Sequence, residues 1–180
     1  MRTWSIVAYR LMAVCITISV LTECALAQGR HADPDLEALL PQTLGGVALT
    51  IESQAGPELS TANTAFDAFL KSLGKTRADF SLASAYAQGG LRAQVGAWRV
   101  NGADTAMLLP GFKAAMQASS TTPLNNTEEN IAGHMVTRVG DPGQLTQGPL
   151  YVFAKGDTLY FVQTPDRALA EEAIAKLPPS

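Results

Sequence analysis

The sequence predicts an α+β domain, a two-layer sandwich in which helices cover one face of a largely antiparallel sheet. Apolar and polar residues alternate over 47–53, and strand-like runs follow at 80–87 and 91–100. Aromatic and β-branched runs at 150–154 and 158–164 are separated only by a short turn. Because short turns join antiparallel strands and amphipathic helices lie between the hairpins, a helix-covered antiparallel sheet buries the apolar surface of both.

The first predicted elements are a short helix and a strand. Asp33 is a typical N-cap, Pro34 suits the first helical position, and an apolar stripe follows until Pro41 ends it. A Gly-Gly turn then leads into the alternating residues 47–53, which predict the first strand.

Two helices flank the first predicted hairpin. Ser60 or Thr61 can cap a helix over 61–73, which a glycine ends. The strands at 80–87 and 91–100 are joined by a turn with two glycines. A second helix is predicted over 104–117. Pro110 lies inside it, so we expect a kink or a new helix start there.

The second half repeats this order. Residues 118–130 are rich in Ser, Thr and Asn and predict an exposed connection. A strand over 134–139, the hairpin over 150–164 and a helix over 166–177 then follow. The succession of strand, hairpin and helix matches that of the first half, which suggests a duplicated β-β-β-α unit.

The first 27 residues have the pattern of a bacterial export signal. Arg2 and Arg10 supply positive charge, residues 11–21 are almost entirely apolar, and Ala25-Leu26-Ala27 fits a signal-peptidase site. The apolar run is shorter than the roughly 20 residues that a transmembrane helix needs. We therefore predict a signal peptide at 1–27, a polar tether at 28–33 and a single domain at 34–180. The domain is expected in the periplasm, in the medium or attached to the outside of the cell membrane.

The cysteines raise the question of a lipid anchor. Both Cys15 and Cys24 precede the predicted cleavage site, so the mature domain has no disulfide. Leu21-Thr22-Glu23-Cys24 is similar to a lipobox, which makes Cys24 a candidate lipidation site. Glu23 departs from the small residue that the lipobox requires before its cysteine, which favours cleavage after Ala27.

The charge of the chain argues against two classes of partner. Acidic residues outnumber basic ones, 16 to 13, and the net charge is −3. Nucleic acids and anionic lipid surfaces both require clustered Lys and Arg. We expect neither as a partner.

Motifs of catalysis, cofactor binding and metal binding are missing from the sequence. The two histidines, His31 and His134, are far apart and have no mature cysteine to complete a zinc site. Ser72 and Lys75 match the Ser-x-x-Lys of penicillin-binding enzymes, but they lie at the end of a predicted helix and lack the partner motifs. No catalytic residue, cofactor or metal ligand is therefore predicted.

Aromatic residues supply the one candidate binding surface. The β-hairpin at 150–164 carries several aromatic side chains that cannot all face the same side. If one sheet face is uncovered, an exposed apolar patch can bind a partner. Its candidate members are Tyr86, Trp98, Tyr151, Phe153 and Tyr160.

Several segments carry a resemblance to a known family. They are Leu36-Glu37-Ala38-Leu39-Leu40-Pro41, Gly45-Gly46-Val47-Ala48-Leu49-Thr50, Phe69-Leu70-Lys71-Ser72-Leu73-Gly74-Lys75, Asp141-Pro142-Gly143 and the hairpin sequence from Tyr151 to Gln163. On these residues the chain resembles a family of exported bacterial proteins and lipoproteins of unknown function. The resemblance implies a location in the cell envelope and supplies no catalytic residues.

These observations favour a non-catalytic binding or interaction module of the cell envelope, with an unknown protein or a small apolar molecule as partner. Two alternatives remain open: a carrier of a small apolar ligand or lipid, and a hydrolase whose site is assembled from scattered Ser, Asp and His residues. A buried apolar cavity would favour the carrier, and a His134 side chain beside a carboxylate and a hydroxyl would favour the hydrolase.

Overall fold

The structure is a computed structural model that describes residues 31–59, 64–87, 92–140 and 147–179. Four α-helices are present in these residues: α1 (Pro34–Glu37), α2 (Thr64–Ser72), α3 (Thr105–Ser119) and α4 (Arg167–Lys176). The strands are β1 (Thr43–Leu44), β2 (Val47–Ala48), β3 (Thr50–Ala55), β4 (Phe80–Tyr86), β5 (Gln94–Val100), β6 (Asn126–Ile131), β7 (His134–Val139), β8 (Leu150–Lys155) and β9 (Thr158–Gln163).

Seven strands form one sheet in the order β3-β4-β5-β9-β8-β7-β6, and every neighbouring pair in it is antiparallel. Strands β1 and β2 form a separate two-stranded hairpin. The predicted α+β class and the largely antiparallel sheet are therefore confirmed. Strand β9 lies near the centre, and all six of its residues are buried.

The helices lie on both faces of the sheet, which differs from the predicted covering of one face. On the front face, which carries Ala97 and Tyr160, the apolar core includes residues of α4 and of the segment 36–40. On the back face, which carries Trp98 and Phe161, it includes residues of α2 and α3. The sandwich thus has three layers, because the inner strands are apolar on both faces and each face needs a cover.

The predicted first strand is divided in two. Val47 and Ala48 pair with β1 in the small hairpin, and the sheet strand begins only at Thr50. Contacts with α4 hold this hairpin: the Glu172 carboxylate accepts from the backbone amide of Gly45, and Lys176 donates to the carbonyl of Thr43.

Strand β6 is absent from the prediction, which treated 118–130 as an exposed connection. Of its six residues only Ile131 is buried, since β6 is an edge strand. A polar edge strand gives no apolar alternation to recognise. Pairing with β7 across the turn at Ala132-Gly133 forms it instead.

Helix α3 runs through Pro110 as a single element, without the new helix start that was one of the two expectations.

The predicted succession of strand, hairpin and helix occurs twice, in β3-β4-β5-α3 and β7-β8-β9-α4. However, α3 lies on the back face and α4 on the front face. The central strands β5 and β9 are antiparallel, so a two-fold axis perpendicular to the sheet exchanges them and keeps each face on its own side. Such an axis would place both helices on the same face. The repeat therefore holds for the strands but not for the helices.

Several predicted features lie outside the described residues: the signal peptide with Cys24, the cap at Ser60 or Thr61, the turn of the first hairpin and the loop Asp141-Pro142-Gly143. Across the described ranges, no helix has both the length and the apolar character required to cross a membrane.

Candidate functional site

The five residues of the predicted aromatic patch do not form one surface. Tyr151, Phe153 and Tyr160 point to the front face and are only 2–4 % exposed, because α4 covers this part of the sheet. Trp98 and Tyr86 lie on the back face, as their register partners show. The patch prediction is therefore corrected: three of its members are core residues, and the other two lie on the opposite side of the sheet.

Trp98 is a packing residue of the back face. Its ring makes edge-on contacts with four phenylalanine rings at centroid distances of 5.4–5.9 Å. Such edge-to-face pairs stabilise a core beyond the burial of area alone. The four partners are Phe66, Phe80, Phe112 and Phe161.

Tyr86 lies at the polar end of the same face. It is partly buried at the end of β4, and its hydroxyl donates to Oε1 of Glu52 in β3 over 2.6 Å. Burial of the hydroxyl, with the neighbouring carboxylate of Glu52, raises the pKa of Tyr86 to about 12. The phenol therefore remains neutral at all physiological pH values, and its oxygen keeps lone pairs that can accept a hydrogen bond.

Polar side chains continue from Tyr86 across the neighbouring strands. The register pairs Tyr86 with Gln94 in β5, and Gln94 with Gln163 in β9. Two residues before Tyr86 and on the same face, Ser84 pairs with Glu52 in β3. Paired residues share a face, so these five side chains occupy one end of the back face. We name this set the amide row; its members are Glu52, Ser84, Tyr86, Gln94 and Gln163.

Gln163 is the most unusual member of the amide row. It is 7 % exposed, and its Nε2 donates to the carbonyl oxygen of Gly148 over 3.3 Å. Its Oε1 is buried and has no hydrogen-bond partner in the described part of the chain. A buried amide oxygen of this kind costs roughly 1–3 kcal/mol unless a donor reaches it.

The sequence contains one signal for this site. The residues from Leu159 to Val162 are all apolar or aromatic, and Gln163 ends this run with an amide. Gln94 likewise precedes a run of apolar and small residues from Val95 to Trp98. Sequence patterns place such residues at strand ends without showing that the two strands are neighbours.

A second polar cluster joins α1 to the front face. Asp33 caps the helix through the amide of Leu36, and its carboxylate also accepts from the Ser81 hydroxyl at 2.6 Å and from Arg99 at 2.9 Å. This cluster explains why the helix begins where the Asp33-Pro34 pattern predicted. Its groups satisfy one another, which indicates a structural role.

The same region holds a carboxylate that contacts both a hydroxyl and an imidazole. The Ser53 hydroxyl donates to Glu37 at 2.5 Å, and His31 Nδ1 contacts the other carboxylate oxygen at 2.8 Å. In a nucleophilic triad the imidazole stands between hydroxyl and carboxylate, so that it can take the proton. Here the carboxylate stands between the other two, and Ser53 is only 1 % exposed. This arrangement does not activate the serine.

His134 is a core residue rather than part of a cleft. It is 4 % exposed, and its ring lies 4.7 Å from that of Phe153, centroid to centroid. Burial lowers the pKa of the His134 imidazole, and the positive charge of Lys155 adds to the effect. The neutral form is therefore favoured in the folded protein.

The remaining motifs have structural explanations. Helix α2 ends at Ser72, whose hydroxyl donates to the carbonyl of Phe69, so it lies at the end opposite to that of a penicillin-binding serine. Gly156, at φ +58°, provides the turn of the β8–β9 hairpin. Among the described residues, no three His, Cys, Asp or Glu side chains are grouped as a metal site would require.

The described residues thus define a three-layer antiparallel α+β domain with a polar row at one end of its back face. No protein-family model, curated protein or solved structure matches the chain. The family resemblance drawn from the sequence remains a prediction.

Proposed function

We propose that this chain is a non-catalytic binding module of the bacterial cell envelope, exported and cleaved after Ala27, and that it binds its ligand at the amide row. The observation that carries the proposal is the buried Oε1 of Gln163, which has no partner in the described part of the chain. A ligand that donates a hydrogen bond to this oxygen would remove its desolvation cost.

The choice of residue at position 163 supports a role in binding. A methionine or leucine would fill nearly the same volume without burying an unsatisfied amide. Residues 159–162, which precede Gln163 in β9, are apolar or aromatic and buried in the core. Natural proteins carry local costs of this kind mainly where function requires them.

The polar groups of the front face favour binding over hydrolysis. The Ser53 hydroxyl donates its hydrogen bond to Glu37 and not to an imidazole. His134 is buried against Phe153. The hydrolase alternative therefore gains no support from either histidine, and the carrier of an apolar ligand gains none from a row of amides and hydroxyls.

The test is the native intact mass of the protein after mild extraction from its own envelope. The mass fixes the N-terminus, reveals any lipid on Cys24 and detects a ligand that stays bound. We expect the wild-type chain to retain a ligand that Gln163→Met loses. Gln54→Met is the matched control. Gln54 lies two residues beyond Glu52 on the same face of β3, and it pairs with Leu82, outside the row. Retention of the same ligand by Gln163→Met would contradict the proposal.

A further inference from the structure

We infer that the ligand of the amide row is a neutral oligosaccharide whose hydroxyl groups donate to Gln163 and Glu52; this inference rests on the proposed function. The chemistry of the five side chains, their charge and their spacing across the sheet carry it.

The amide row offers more acceptors than donors. Gln163 Oε1 accepts nothing from the described residues, and Tyr86 donates its only proton to Glu52, which leaves the second carboxylate oxygen and the phenol oxygen as acceptors. Gln94 adds an amide with both functions, and Ser84 adds a hydroxyl. A ligand that both donates and accepts at many closely spaced positions suits this set, and sugar hydroxyls do so.

The charge of the row argues against an anionic ligand. Its only ionised member is Glu52, since Tyr86 stays protonated, and none of the five residues is a lysine or arginine. A phosphate or carboxylate would meet the Glu52 carboxylate without a compensating cation. Arg92 is exposed two residues before Gln94, outside the strand, and the experiment therefore includes an anion.

The spacing of the row indicates an extended ligand. Its members are on β3, β4, β5 and β9, which are four consecutive strands of the sheet. Neighbouring strands lie about 4.8 Å apart, so the row extends over roughly 14 Å. Glu52, Tyr86 and Gln94 are partly exposed on three of these strands, so a chain of sugar rings can lie along them and direct one hydroxyl towards the buried Gln163 on the fourth. A bound peptide would instead add to a free sheet edge, whereas this row crosses the face.

The experiment is an NMR titration that observes the side-chain amide resonances of Gln94 and Gln163 in the ¹⁵N-labelled mature protein. The neutral probes are cellotetraose and N-acetylchitotetraose, and the charged probes are chitosan tetrasaccharide and inorganic phosphate. We expect at least one neutral tetrasaccharide to shift both side-chain amides. In Gln163→Met its affinity should fall about tenfold, since one hydrogen bond is lost. The melting temperature of this variant should equal or exceed that of the wild type.

The control variant and two outcomes make the inference falsifiable. Gln54→Met should bind the tetrasaccharide as the wild type does. Binding of only the amine or only the phosphate probe, or of none, would overturn the assignment to neutral saccharides. An unchanged affinity in Gln163→Met would overturn the amide row as the saccharide site. A native ligand that the wild type retains and Gln163→Met loses, without binding of any tetrasaccharide, would leave the proposed function in place and refute only the ligand class.

Discussion

The ring of Phe161 lies directly against the backbone of Gly96 in the neighbouring strand. A Cβ atom at Gly96 would stand 2.2 Å from Cζ of Phe161, much closer than real Cβ contacts. The two residues are register partners in β5 and β9, so the absence of a side chain on one strand makes room for an aromatic ring on the other.

This contact predicts that Gly96→Ala destabilises the protein by about 1–3 kcal/mol, because Phe161 must leave its place in a filled core. Urea denaturation monitored by tryptophan fluorescence measures the loss. In Phe161→Leu the same alanine should cost less, since the ring is gone. Equal costs in both backgrounds would show that the glycine is needed for another reason.

The cluster at Asp33 predicts a large effect from a residue of the predicted tether. Asp33→Ala removes the helix cap, the bond from Ser81 and the ion pair with Arg99, which is partly buried. The expected loss is about 2–3 kcal/mol in the free energy of unfolding. A double-mutant cycle with Arg99→Met isolates the ion pair, and a coupling energy near zero would contradict its role.

His134 predicts a loss of stability in acid. Its pKa is lowered in the folded state by burial, so the unfolded chain takes up the proton first. The contribution of His134 to the free energy of unfolding is fully present above the pKa of the unfolded chain, about 6.5, and decreases as the pH falls below that value. Urea midpoints at pH 7.5 and 5.5 measure the decrease. His134→Gln should reduce it, and an NMR titration of the imidazole should give a pKa below 6.5.

The pair of Tyr86 and Glu52 predicts an alkaline titration. The pKa of Tyr86 is raised to about 12, first by burial and then by the carboxylate of Glu52. Glu52→Gln should lower it, because the negative charge is removed while the shape is kept. The ¹³Cζ chemical shift of Tyr86 follows the titration. A pKa that does not change in this variant would show that the carboxylate has no part in the shift.

The sequence was sufficient for the elements with clear periodicity. The Asp33-Pro34 helix start, the hairpin at β8 and β9 and the final helix all occur close to their predicted positions. Strand β6 could not be predicted, since only Ile131 in it is buried. An edge strand is polar because of its position in the sheet, and a local sequence pattern does not show that position.

The candidate site was less accessible from the sequence than the fold. The aromatic residues of β8 and β9 suggested a binding surface, but Tyr151 and Tyr160 are buried beneath α4. The sequence could not show which sheet faces the helices cover. It also could not show that β9 lies beside β5, and only this neighbourhood brings Gln163 next to Gln94.

The central position of β9 has a consequence for the order in which the protein can assemble. Strand β5 can form its hairpin with β4 early, but its other edge stays open until β9, near the end of the chain, fills the gap between β5 and β8. During that interval an apolar strand edge is available to other chains. A chain truncated before residue 158 would keep that edge permanently, and aggregation would be its expected fate.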